Sequence, residues 1–190
     1  MAHLTEFLPF LLRWEAGVIC SPSDVSSAFG LARKSGWNDD PNDRGGKTMV
    51  GVTWKTWITY CGLVGRTPTV SGLRNMDFGT WQTIVRRLFW NQWKADLIDS
   101  QSVAEMLVDW YWGSGKIGIT RPQRILQVQP DGIVGPITIA AVNAQNPNIF
   151  FEYLKLKRNQ HFKEIVDKDP TQARFLGGWL NRLNSHVFKG

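Results

Sequence analysis

Cysteine is scarce in this chain of 190 residues: Cys20 and Cys61 are the only two, and they carry no CxxC spacing. Neither a disulfide framework nor a cysteine zinc site is indicated. The three histidines (His3, His161, His186) stand far apart, so no metal site is expected, and no cofactor either. No apolar run reaches the roughly 18 residues of a membrane span, and the N-terminus lacks the basic start and small-residue cleavage site of a signal peptide. Stable membrane insertion is therefore not expected. Lys and Arg never form a block longer than a pair, and no RNA- or DNA-binding motif is present. Nucleic acid is not the expected partner, although the net charge is +6 and the pI is about 9.5. Such a surface also suits an anionic cell wall. Sustained strand alternation is missing as well.

What is present is the composition of a globular domain, 43% hydrophobic and 20% charged, with length enough for a real core. Ten tryptophans exceed the usual share, and most are expected to pack the core. The pattern is mainly α. The first helix runs to Glu15, with Thr5 as its N-cap, Pro9 near its first turn and Gly17 as its stop. Residues 18–47 are rich in Ser, Gly, Asp, Asn and Pro and read as loop, with at most a short helical turn over Ala28–Lys34. Further helices are expected over Thr53–Tyr60, Asp77–Trp93, from Ser100 to Gly113, from Thr120, from Pro136 to about Ala144, from Asn148 to about Asp167, and over Arg174–Phe188. A small β-hairpin near residues 45–52 is the most that the strand signal permits.

Glu15 shares one helix face with Leu8, Leu11 and Leu12. It would sit half desolvated at the negative end of a helix dipole. Both conditions disfavour the charged form, so the carboxylic acid keeps a proton to donate. Downstream comes a dense polar cluster, Asp39-Asp40-Pro41-Asn42-Asp43-Arg44-Gly45-Gly46-Lys47-Thr48. Cleaving a glycosidic bond needs one group to protonate the leaving oxygen. A second must activate water or stabilise the oxocarbenium-like transition state. Glu15 suits the first role. Asp43, in a polar glycine-flanked turn, suits the second, and the Thr48 hydroxyl could hold a water. By themselves these residues prove little. A Glu near a helix end is most often a solvated surface residue, and an Asp before Gly-Gly is most often turn chemistry.

The order of the motifs adds to this. Trp14-Glu15-Ala16-Gly17, Asp43-Arg44-Gly45-Gly46-Lys47-Thr48 and Gly51-Val52-Thr53 resemble the E-G-G…D-x-G-G-x-T…G-I-T signature of glycoside hydrolase family 108, N-acetylmuramidases of phages and bacteria. Asp109-Trp110-Tyr111-Trp112-Gly113-Ser114-Gly115, Gln123-Arg124-Ile125-Leu126-Gln127, Asp131 to Thr138 and Gly178 to Arg182 resemble the peptidoglycan-binding region that accompanies them. The resemblance implies a lysozyme-like helical region over residues 1–95 and a helical peptidoglycan-binding region over 96–190. It also implies cleavage of the β-1,4 bond between N-acetylmuramic acid and N-acetylglucosamine. Glu15 would be the acid, Asp43 the base or electrostatic stabiliser, and Thr48 the residue that orients water. Peptidoglycan glycan strands are the implied partner of a monomeric enzyme that reaches the wall by export or holin-type release.

The sequence departs from the family pattern in two places. Ala16 replaces the first glycine of E-G-G. Asp43 lies 28 residues beyond Glu15, where the family leaves about ten. Residues 20–39 therefore read as an inserted loop, expected to form a lid or rim over the glycan cleft with Trp37 as a sugar-stacking group. Asp39 and Asp40 compete with Asp43, which alone keeps the D-x-G-G-x-T spacing. The two departures keep open a non-catalytic wall-binding or secretion-accessory protein on the same fold. An amidase or peptidase would need a metal or nucleophile constellation that the sequence does not display. The Asp131-Gly132 turn and its apolar neighbours are expected to be structural.

Overall fold

Leu4, Phe7, Leu8, Leu11 and Leu12 recur at helical spacing and are all buried along the first helix, α1 (Leu4–Ala16). This apolar stripe, more than local capping, sets where the helix begins. Leu4 is already helical, so Thr5 is not its cap, and Pro9 lies inside the helix rather than at its first turn. At the other end Gly17 takes φ +69°, and its N–H donates to the Arg13 carbonyl at 3.0 Å, the left-handed termination expected of glycine.

The computed structural model describes residues 1–39 and 46–189. Asp40 and Asp43 lie outside the described residues. The chain divides into two units, one of Leu4–Leu88 and one of Met1–His3 with Phe89–Gly190. It is mainly α, with one small antiparallel sheet.

The segment expected to be a loop is the main correction to the expectation from sequence. Residues 20–39 are not a loop. They form a 3₁₀ turn (Pro22–Asp24), an eleven-residue helix α2 (Val25–Ser35) and a short strand β1 (Trp37–Asn38). Val25, Ala28, Phe29 and Ala32 are buried on one face of α2. Their i, i+3, i+4, i+7 spacing is a helical stripe hidden in a Ser- and Gly-rich composition. α2 packs on α1, and the Ser35 hydroxyl donates to the Ala16 carbonyl at 2.9 Å. The helix of this segment is thus part of the core, while its end, Ser35 to Asn38, lines the Glu15 cleft.

β1 pairs with β2 (Thr48–Met49), and β2 with β3 (Val52–Thr53), in the order β1-β2-β3. Trp37 stands opposite Met49, Asn38 opposite Thr48, and Thr48 opposite Thr53. The expected hairpin is therefore present, with a third strand supplied by Trp37 and Asn38. Val50 and Gly51 form its two-residue turn with φ +44° and +73°, the geometry that matches strand twist. A buried β-branched residue in this region carries strain. Tertiary contacts hold it. The Val50 N–H donates to the Gly36 carbonyl at 2.8 Å, and the Val50 carbonyl accepts from Trp81 Nε1 at 3.0 Å.

The remainder of this unit is helical: α3 (Trp54–Leu63), α4 (Val70–Arg74) and α5 (Phe78–Val85). Thr53, Thr69 and Asp77 cap them, each accepting a backbone N–H. Phe29 of α2 packs its ring against Trp81 and Phe78 of α5, at 5.2 and 5.9 Å between centroids. A π-helical turn, Arg86–Trp90, follows α5.

In the other unit α6 (Gln101–Ser114) starts at its Ser100 cap and stops at Gly115. α7 (Ile117–Ile125) begins three residues before the expected Thr120, so Pro122 falls inside it. Gly118 and Ile119 are buried there, and packing, not capping, fixes that start. α8 (Pro136–Asn143), α9 (Pro147–Lys168) and α10 (Ala173–Asn184) follow, the first two opened by proline. Gln101 clamps the N-terminus here, accepting from the His3 N–H at 2.7 Å and donating to the His3 carbonyl at 3.1 Å. Trp81, Trp90, Trp93 and Trp110 are wholly buried in their respective units.

Candidate active site

Glu15 occupies the last turn of α1, half-buried beyond the apolar stripe that anchors the helix. From there a cleft of about 250 Å³ opens, lined by Glu15, Ser35, Gly36, Trp37, Asn38, Thr48 and Gly51. Three local structures converge on it: the α1 terminus, the α2–β1 junction and the β2–β3 hairpin. The structure brings Glu15 and Thr48, 33 positions apart in sequence, to one cavity. Thr48 donates its hydroxyl hydrogen to the Gly46 carbonyl at 3.1 Å, so toward a bound water its oxygen is an acceptor.

The close approach of β1 to the hairpin turn depends on Gly36. A Cβ there would stand 2.7 Å from both the Ala32 carbonyl oxygen and Val50 Cγ2. Any side chain would push β1, and with it Trp37 and Asn38, away from the hairpin that carries Thr48. Trp37 is half-buried, and the Arg74 guanidinium lies over its ring, 5.4 Å from the centroid.

Asp43 lies outside the described residues, as do Asp40, Arg44 and Gly45. Its competitor Asp39 is described, and Lys47 pairs with it at 3.0 Å. Sequence reasoning does not single out Ser35, Asn38 or Arg74. Nothing local marks them, because only the α2–β1 junction brings Ser35 and Asn38 to the cleft and only the placement of α4 brings Arg74 onto Trp37.

Among the described residues, the carboxylate held furthest from its ordinary pKa is elsewhere. Asp109 of α6 is fully buried and accepts from Arg158 Nη1 at 2.7 Å, Arg182 Nη2 at 2.7 Å and Nε at 3.0 Å. His186 Nε2 lies 3.1 Å from the same carboxylate. Burial pushes its pKa up. The Arg182 and Arg158 guanidiniums, with His186, outweigh that and hold it well below the usual carboxylate range. With both oxygens engaged and the carboxylate itself fully buried, it fastens α6, α9 and α10 and offers no face to a substrate. Gln123 has a similar structural task. It accepts from the Gly132 N–H at 2.9 Å and donates to Asp131 at 2.9 Å and to the Ile133 carbonyl at 3.0 Å. Asp131 also accepts from the Ile133 N–H at 2.8 Å. A larger cavity of about 430 Å³ is lined by Ile98, Val103, Val142 and Phe188, with Asp99 its one carboxylate. Its lining belongs to the other unit and holds neither Glu15 nor Thr48.

No curated protein matches the sequence. A solved structure described as "Structure of Brucella abortus SagA" shares the fold at TM-score 0.66 and 24% identity, over 78% of this chain and 81% of that one. Residues 117–184 match the family model described as a predicted peptidoglycan domain. Residues 8–115, more than half of the chain and including the whole Glu15 cleft, match the model described as glycosyl hydrolase 108. The chain belongs to glycosyl hydrolase family 108 and is a peptidoglycan hydrolase, a glycosidase in its chemistry.

Proposed function

We propose that the Glu15 cleft is the catalytic site of an N-acetylmuramidase that cleaves the β-1,4 bond between N-acetylmuramic acid and N-acetylglucosamine. The observation that carries the reading is the convergence of Glu15 and Thr48 on one cavity, inside the segment that matches the glycosidase family. Glu15 protonates the glycosidic oxygen as the bond to the anomeric carbon breaks. Asp43 supplies the second carboxylate, activating water or stabilising the oxocarbenium-like charge. Thr48 accepts a hydrogen bond from the attacking water and fixes where its lone pair points. The chain acts as a monomer, with no metal or organic cofactor. Its substrate lies beyond the cytoplasmic membrane, and the protein reaches it by export or by release through a membrane lesion.

Incubation with purified peptidoglycan, followed by mass spectrometry of the soluble fragments, tests this reading. Fragments with N-acetylmuramic acid at the reducing end are expected. Reducing-end N-acetylglucosamine, free stem peptides, or no release would each overturn it.

A further inference from the structure

Trp37 and Arg74 form a pair that the acid–base chemistry does not use. Trp37 lines the same cleft as Glu15. Arg74 ends α4, a five-residue helix that packs on β2. Its guanidinium lies over the indole, 5.4 Å from the ring centroid. Arg74 is exposed, and among the described residues it makes no ion pair. Lys47, also beside the hairpin, is paired with Asp39. The cleft wall therefore holds an indole with a guanidinium stacked over one of its two faces. The charge of that cation is not met by any described carboxylate.

These two groups recognise different parts of one ligand. An indole face packs on the C–H-rich face of a pyranose ring. A guanidinium presents a planar fork of N–H donors that matches a carboxylate. Stacking on the tryptophan also pre-orders the arginine, which lowers the entropy lost when it closes on an anion. Of the two alternating sugars in the glycan, only the muramyl residue bears an acidic substituent. That acid is either its own lactyl carboxylate or a carboxylate of the attached stem peptide.

We propose that Trp37 and Arg74 form a saccharide subsite that selects the muramyl residue by its carboxylate, with Trp37 carrying the sugar ring and Arg74 the negative charge. The proposal rests on the muramidase reading for its substrate class. Its placement beside Glu15 would set the register of the strand and so decide which of the two alternating linkages meets the acid.

The test measures equilibrium binding of the full-length Glu15→Gln chain, with and without Arg74→Gln, to three soluble glycan preparations. One keeps its stem peptides. One is stripped to free lactyl carboxylates. The third is stripped and then carbodiimide-amidated, so that no carboxylate remains. Arg74→Gln is expected to raise Kd about tenfold, the scale of one charge-assisted hydrogen-bonded contact, on carboxylate-bearing glycan. Both chains are expected to bind amidated glycan equally. Loss on the stripped glycan assigns the lactyl carboxylate, and loss only on the peptide-bearing glycan assigns the stem. Trp37→Ala should weaken all three, and Trp37→Phe should restore most of the affinity. Equal loss from Arg74→Gln on amidated and acidic glycan, or no loss on any, overturns the proposal. Absence of reducing-end release by the wild-type chain would instead overturn the muramidase reading and leave the binding result standing.

Discussion

The two units use carboxylates in opposite ways. In the unit of residues 4–88, Glu15 stands half-buried at the edge of a cleft, on a helix end held by apolar packing. In the other unit Asp109 is fully buried, with two arginines and a histidine around it. Strong perturbation of a titratable group often marks a functional site, yet here it marks the structural one. What separates them is access. A fully buried carboxylate whose oxygens are already satisfied by two arginines and a histidine cannot exchange a proton with substrate, however far its pKa is displaced. Backbone strain divides the other way. Val50, a buried β-branched residue at positive φ, belongs to the cleft unit, where the hairpin must place Thr48.

The sharpest way to break the contrast is to neutralise each carboxylate in turn. Glu15→Gln removes the proton donor while keeping the side chain's shape. Reducing-end release from peptidoglycan should fall by about 10²–10⁴-fold with the melting temperature little changed. Unaltered turnover would remove Glu15 from the mechanism. Asp109→Ala should do the reverse. It leaves the buried Arg158 and the adjacent Arg182 without their carboxylate, at a cost of about 3–5 kcal/mol readable by denaturant titration. A stable Asp109→Ala protein would show that the network is dispensable.

Gly36→Ala probes the cleft scaffold. The added methyl meets a carbonyl oxygen and Val50 Cγ2 at 2.7 Å. We expect a loss of about 1–3 kcal/mol, the usual cost of overpacking, together with lowered turnover from a displaced β1. Full activity would show that Val50 and the hairpin yield freely.

The smallest effect concerns pH. Burial, reinforced by the positive charge of Arg121 and opposed by Glu164, lowers the His161 pKa from 6.5 to about 4. Burial lowers His186 as well, against the pull of Asp109. Below pH 6.5 the unfolded chain takes up protons that the folded histidines refuse. Stability present above that pH is therefore lost as pH falls from 6.5 toward 4. The Asp109 contribution is lost only in stronger acid, because its folded pKa lies well below the ordinary value. The melting temperature should drop on the order of 5 °C across the histidine window, and His161→Phe should flatten that slope.

Much of the helical architecture is legible because it is written locally. The Thr53, Asp77 and Ser100 caps, the Gly135-Pro136 start and the periodic stripe of α5 state their elements in adjacent residues. α2 is hidden because Ser26, Ser27, Gly30 and Ser35 dilute its four buried positions. The start of α7 is obscured because a cap-like Thr120 lies inside a helix that packing begins earlier. The order of motifs around Glu15 and Thr48 points to a glycosidase without any knowledge of the fold, and the family match bears that chemistry out.

By itself, then, the sequence determined the helical class, several of the caps and stops, and the presence of an acid on an apolar helix face. These depend on periodicity and on groups within four residues of one another. Only the tertiary structure decided that residues 25–35 form a core helix, that β1 completes the sheet, and that Trp37, which lines the Glu15 cleft, meets Arg74. Such juxtapositions come from packing between distant segments. Their free energy resides in burial and in contacts such as Trp81 with Val50 and Gly36 with Val50, which no local pattern encodes.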